Sequence, residues 1–187
     1  MTPKPPYSAR ILDGLARWRW TGAERPPFAR EPGPGEESVW GYPRPPRVET
    51  LAKTVLVRVG STTVAETSNA LRVLETAGPP TVYLPPRDVD RALLRDAPGA
   101  SECEWKGAAS YWSLEVEGRL LEAVGWSYEH PHAEYAELAG FLSFYPGRVE
   151  CFIDDERVRP QPGEFYGGWV TSEIVGPIKG EPGSASW

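Results

Sequence analysis

Hydrophobic and polar positions alternate in three separate stretches of this chain. Val55, Val57 and Val59 are interleaved with Leu56 and Arg58 ahead of Gly60-Ser61, and Val64 follows the turn. Trp112, Leu114 and Val116 are interleaved with Ser113 and Glu115 ahead of Glu117-Gly118, and Leu120 follows. Val149, Cys151 and Ile153 are interleaved with Glu150 and Phe152 ahead of Asp154-Asp155, and Val158 follows. Period-two alternation that closes on a Gly- or Asp-containing pair predicts β-hairpins with one buried face. Residues 81–84 and 124–128 read as further strands. Helical spacing governs other segments. Ile11, Leu12 and Leu15 recur behind Ser8 as a short amphipathic helix whose ordinary fate is docking onto the protein's own core. Residues 68–75 carry a capping residue and good helix formers and stop at Gly78-Pro79-Pro80, which predicts a second helix. Pro131 followed by residues 133–141 predicts a third, and residues 88–95 a short helical turn.

Several hairpins with interspersed short helices, and no strict alternation of strand and helix, give an α+β class that is mainly antiparallel β. The expected form is a curved sheet or partial barrel of hairpins with two or three short helices. Three zones follow: residues 1–37, a helix and a Pro-rich arm packing on the core; residues 38–159, a β-rich domain; and residues 160–187, a Gly/Pro/aromatic extension. That extension keeps Phe165, Tyr166, Trp169, Ile174, Val175, Ile178 and Trp187, too many large apolar groups for a disordered tail, so it is expected to wrap the core.

Composition sharpens this picture at three points. The 21 prolines among 187 residues are roughly twice the usual share; they exclude a helical bundle and require long non-repetitive segments. The net charge of −6 argues against non-specific nucleic-acid binding, which depends on phosphate neutralisation. No apolar run approaches a membrane span, and residues 1–20 lack the continuous apolar stretch of a signal peptide. Cys103 and Cys151 lie far apart, and without an export signal the expectation is reduced thiols in the cytoplasm.

From residues 37–49 (Glu-Ser-Val-Trp-Gly-Tyr-Pro-Arg-Pro-Pro-Arg-Val-Glu) onward the chain resembles the bacterial and fungal family known as DUF427. The resemblance continues through residues 70–75, residues 80–88 around Tyr83-Leu84-Pro85-Pro86, residues 103–112 (Cys-Glu-Trp-Lys-Gly-Ala-Ala-Ser-Tyr-Trp) and residues 123–128 (Ala-Val-Gly-Trp-Ser-Tyr). It covers roughly residues 38–158 and implies a compact, mainly β domain without implying an activity. Residues 25–29 and 167–172 look like the flanks of longer members. Gly41 and Glu104 depart from the family pattern, which more often has an acidic residue and a proline there. A nucleotidyltransferase label attached to the family lacks support in the residues. That chemistry needs a Gly-Ser pair opening a helix and a carboxylate pair to hold magnesium, whereas Gly60-Ser61 falls in a hairpin turn and Asp88-Val89-Asp90 follows a proline pair.

Candidate chemistry gathers around a few polar groups set among aromatics. Arg72 and Glu75, three apart on the expected helix, share a face; they form either a surface ion pair or a pocket rim where Arg presents a planar fork to a carboxylate or phosphate. Lys106, between Trp105 and Gly107, is either a solvated loop lysine or an anion holder, and the family motif around it favours the second. Tyr83, Tyr111, Trp126 and Tyr128 are core rings or, beside Arg and Lys, the wall of a binding pocket. Cys103 with His130 and His132 lacks the ligand spacing of a zinc site, so no metal and no cofactor is expected. If chemistry occurs, Glu75 is the expected general acid or base, with Cys103 a weaker candidate nucleophile and Lys106 the electrostatic stabiliser. The expected function is binding of a small anionic molecule in an aromatic pocket. Its rivals are a hydrolase or transferase acting through Glu75 or Cys103, and a protein-interaction or self-association module, such as a homodimer, that uses the Pro-rich arms.

Overall fold

The computed structural model describes residues 8–163, 165–184 and 186–187; the first seven residues of the N-terminal zone lie outside them. Among these residues one α-helix, α1 (Ala9–Leu15), precedes the strands. The first half of the chain forms β1 (Glu37–Ser38), β2 (Arg47–Thr50), β3 (Val55–Val59), β4 (Thr62–Thr67), β5 (Leu71–Leu74) and β6 (Thr81–Tyr83). Three longer strands follow, β7 (Leu94–Cys103), β8 (Gly107–Val116) and β9 (Arg119–Ser127). Then come β10 (Leu142–Phe144), β11 (Glu150–Ile153), β12 (Glu156–Arg157), β13 (Arg159–Pro160), β14 (Trp169–Val170) and β15 (Ile174–Val175).

Pairing is antiparallel almost throughout. One four-stranded sheet runs β10-β9-β8-β7, another β12-β11-β3-β4, and a three-stranded sheet runs β2-β5-β6. The β13–β14 ribbon and the parallel β1–β15 pair complete the set. The sheets stay open, with none closing into a barrel among the described residues, and the fold is mainly β within the α+β class. All three expected hairpins form, as β3–β4, β8–β9 and β11–β12. The alternation has the expected cause: Val55 and Val57 are fully buried, and Val64, Leu114, Val116, Cys151 and Ile153 join them in the main core, with Phe144 and Trp169 filling its centre.

Two helical expectations are corrected, and the short helical turn expected over residues 88–95 is found as a single 3-10 turn. Residues 68–75 contain a strand, β5, hydrogen-bonded to β2 on one side and β6 on the other. Satisfying its backbone from two neighbours outweighs a helix propensity worth only tenths of a kcal/mol per residue. Residues 88–95 hold a one-turn 3-10 segment, Arg91–Leu93, and then enter β7. Residues 133–141 form 3-10 turns over Ala133–Leu138, interrupted by non-helical torsions at Tyr135.

Two further clusters flank the main core. Ile11 of α1 packs with Tyr83, Trp105, Trp126, Tyr128 and Leu138. α1 lies so close to Trp105 that a Cβ on Gly14 would stand 2.8 Å from its ring. Arg10 anchors the helix further, donating to the Glu104 carbonyl and pairing with Glu134. Trp40, fully buried, packs with Val39, Leu74, Val170 and Ile178, and its indole donates to the Pro177 carbonyl at 2.9 Å. Segments from both ends of the chain thus lie on the central sheets. No helix among the described residues is long and apolar enough to cross a membrane.

Candidate functional site

The tight turn between β7 and β8 builds the centre of the site. Cys103 pairs with Gly107 across the hairpin, leaving Glu104, Trp105 and Lys106 as a three-residue loop. Gly107 takes a positive φ of 98°, a torsion that side-chain-bearing residues rarely adopt. The Lys106 carbonyl accepts from the His132 backbone N–H at 3.0 Å, which fixes the end of the loop. The loop sends two of its three side chains to separate hydrogen-bond partners. Trp105 donates its indole N–H to Glu75 at 3.2 Å, and Glu104 accepts from the Trp18 indole at 2.6 Å. Lys106, only 8% exposed, has no hydrogen-bond acceptor for its ammonium among the described residues. Its ammonium lies 5.7 Å from the centroid of the Tyr128 ring.

These groups border a cavity of about 370 Å³. Glu75, Tyr83, Cys103, Lys106, Tyr111, Trp126 and Tyr128 all line it. Tyr83 and Trp126 meet edge to face and share a hydrogen bond at 3.3 Å, while Trp126 packs against Tyr145 with 4.5 Å between ring centroids. Tyr111 directs its hydroxyl to Ser101 at 2.8 Å. Gly167 comes down onto Trp126 so closely that a Cβ there would run into the indole ring. These aromatics are core residues and cavity wall at once.

Arg72 is not brought to this cavity. Positions three apart fall on opposite faces of extended chain, where side chains alternate, and Arg72 in β5 is separated in that way from Glu75, just past the end of the strand. Arg72 lines a separate depression of about 270 Å³. There its guanidinium meets Glu37 at 2.9 Å and Glu49 at 2.8 Å. Burial works against the Arg72 charge, but these two carboxylates outweigh it and hold its pKa above the ordinary value. A guanidinium engaged by two carboxylates has little left to offer an anion.

Arg44 stands beside Glu75 instead, and the sequence reasoning missed it. Its side chain is 1% exposed and is tied on every edge: Nε to Glu75 at 3.1 Å, the two terminal nitrogens to the carbonyls of Trp20 and Thr76 at 2.9 Å each. The guanidinium also lies over the Trp18 ring, 4.2 Å from its centroid. Burial pulls its pKa below the ordinary value, against the opposing charge and hydrogen bond of Glu75. Lys179, also missed, sits 3.9 Å from the Trp18 centroid and donates to the Trp187 carbonyl at 2.6 Å. Trp18, Gln161, Tyr166 and Gly167 complete the wall from the terminal segments. A charged residue inside the proline run 43–46 was the available signal for Arg44.

Burial disfavours charge on Lys106, yet Cys103, Tyr83, Tyr128 and Glu75 together hold its pKa well above the ordinary lysine value. Burial pushes the hydroxyls of Tyr83 and Tyr128 strongly upward, so both remain neutral donors. Among the described residues no group of three or more His, Cys, Asp or Glu side chains is arranged to hold a metal ion. His130 is exposed, and His132 faces Glu102 at 3.9 Å.

No curated protein matches the chain. The sequence profile of the family described as "Domain of unknown function (DUF427)" matches residues 47–155. That stretch carries Glu75, Tyr83, Cys103, Lys106, Tyr111, Trp126 and Tyr128, while Trp18, Arg44, Tyr166 and Lys179 reach the same cavity from outside it. With more than half of its length matched, and with the mainly antiparallel β architecture described above, this chain belongs to the DUF427 family.

Proposed function

We propose that the protein binds a small molecule carrying an anionic group on a planar apolar body, with Lys106 as the anchor for the anion. One observation carries this: an ammonium that is almost wholly buried, has no acceptor among the described residues and borders an aromatic-lined cavity of about 370 Å³. Desolvating a lysine charge costs several kcal/mol unless something compensates it, and a ligand carboxylate or phosphate supplies that compensation. The cavity volume lies at the small end of the range for small-molecule sites, which suits a metabolite rather than a peptide.

The test uses indole-3-propionate, a planar carboxylate, and follows the melting temperature. The wild-type protein is expected to gain thermal stability as the probe is added. Lys106→Met, which keeps the apolar stem, is expected to retain the native circular dichroism spectrum and lose the response. An equal response in both proteins would remove Lys106 from the assigned role.

A further inference from the structure

The charges around the cavity come in equal numbers of each sign, Arg44, Lys106 and Lys179 against Glu75, Glu102 and Glu104. Most already have partners. Arg44 is held by Glu75 and two carbonyls, Lys179 by the Trp187 carbonyl, and Glu104 by Trp18. Glu75 and Glu104 each keep one oxygen free: Glu75 Oε1 accepts both the Arg44 and the Trp105 hydrogen bonds and Glu104 Oε1 that of Trp18, while Oε2 of each has no hydrogen-bond partner among the described residues, and of the two it is Glu75 whose charge acts on Lys106. The Glu75 side chain is still 30% exposed, at the cavity wall. Glu102 is 68% exposed and solvated, so the less exposed Lys106 ammonium and Glu75 Oε2 form a pair of opposite sign without hydrogen-bond partners among the described residues on one hollow.

Resting on Lys106 as the anion anchor, we infer that the cavity is built for a zwitterion, an aromatic amino acid whose carboxylate meets Lys106 and whose ammonium meets Glu75. A ligand with the anionic group alone would satisfy the lysine and leave the carboxylate oxygen dehydrated and unpaired, which is costly. A ligand with both groups completes both pairs, and its ring takes the apolar surface offered by Tyr111, Trp126 and Tyr128. Polar groups placed in this way discriminate strongly against an analogue that lacks one of them.

Three probes that share one ring system separate the contributions. Tryptophan has both charges, indole-3-propionate lacks the ammonium, and tryptamine lacks the carboxylate. By calorimetric titration of the full chain, tryptophan is expected to bind about tenfold tighter than indole-3-propionate, with tryptamine weakest because Lys106 repels it. Glu75→Gln keeps an acceptor for Arg44 and Trp105, and is expected to bring the tryptophan to indole-3-propionate ratio to about one. The wild-type ranking stands as evidence whether or not that variant folds. Indole-3-propionate binding as tightly as tryptophan, or no binding of tryptophan, would overturn the zwitterion assignment. If indole-3-propionate still binds in a Lys106-dependent way, only that assignment falls; if the Lys106→Met variant binds all three probes like the wild type, the anion anchor falls with it.

Discussion

Replacing Arg44 by methionine keeps the length and apolar bulk of the side chain while removing its charge and three hydrogen bonds. The consequence follows from burial. Glu75 would lose the partner that neutralises it, and the carbonyls of Trp20 and Thr76 would lose their donors within the structure. Breaking one side of a buried ion pair typically costs about 3–5 kcal/mol. In a protein of this size that corresponds to a melting temperature lower by on the order of 10 °C. The Trp18 ring would also lose one of the two cations packed against it, keeping Lys179. Arg44→Met is therefore expected to lower thermal stability sharply, as read by calorimetry, whereas Arg72→Met is expected to do so less, because the Arg72 side chain is 20% exposed and its partners Glu37 and Glu49 have access to water. Equal losses in the two variants would contradict the ranking.

At the level of single elements, the β7–β8 hairpin does most to place the site, since one turn delivers Trp105 and Lys106 in opposite roles. Its closure depends on Gly107, with φ at 98° and space for a Cβ only 3.4 Å from the His132 ring. Holding a non-glycine residue in such a torsion costs about 1–3 kcal/mol. Gly107→Ala is expected to lower the urea midpoint correspondingly and to weaken ligand binding through a shifted Lys106, while an unchanged midpoint would show that the turn relaxes freely. The hairpins were legible in the sequence because alternation and turn residues are local signals, and β3–β4, β8–β9 and β11–β12 carry both. β5 was not. Leu71, Arg72, Val73 and Leu74 suit a helix as well as a strand, and what decides is pairing with β2 and β6, whose paired residues lie 21–27 positions upstream and 8–12 downstream. That single misassignment also placed Arg72 on the Glu75 face. A period of 3.6 brings positions three apart together, while a period of two sends them to opposite sides.

Across the whole molecule, the cavity is a product of long-range closure. The family motifs mark Lys106, Trp126 and Tyr128, but nothing local announces that Trp18, Arg44 and Lys179 converge from regions up to 161 positions apart, because that depends on how both terminal segments lie on the sheets. The same closure buries phenols, which gives the molecule a common response to alkali. Tyr145 is pushed up to about 12, first by burial and then by Tyr111, and burial likewise raises Tyr42, Tyr83, Tyr128 and Tyr135. In the unfolded chain tyrosines ionise near pH 10. Above that pH the unfolded state binds fewer protons than the folded state, so stability falls as pH rises. The raised lysine pKa at Lys106 acts with the same sign, since the folded state keeps a proton that the unfolded chain releases. The stabilisation is fully present below about pH 10 and is lost progressively as the pH climbs toward the folded-state values. Each buried phenol, such as Tyr83 or Tyr128, contributes up to about 1.4 kcal/mol per pH unit across that window. Urea midpoints measured between pH 8 and pH 12 are thus expected to hold level at first and then drop steeply, with the tyrosinate absorbance of these five phenols appearing together with unfolding rather than before it. Full tyrosine ionisation in a protein that is still folded would mean that these hydroxyls are open to solvent.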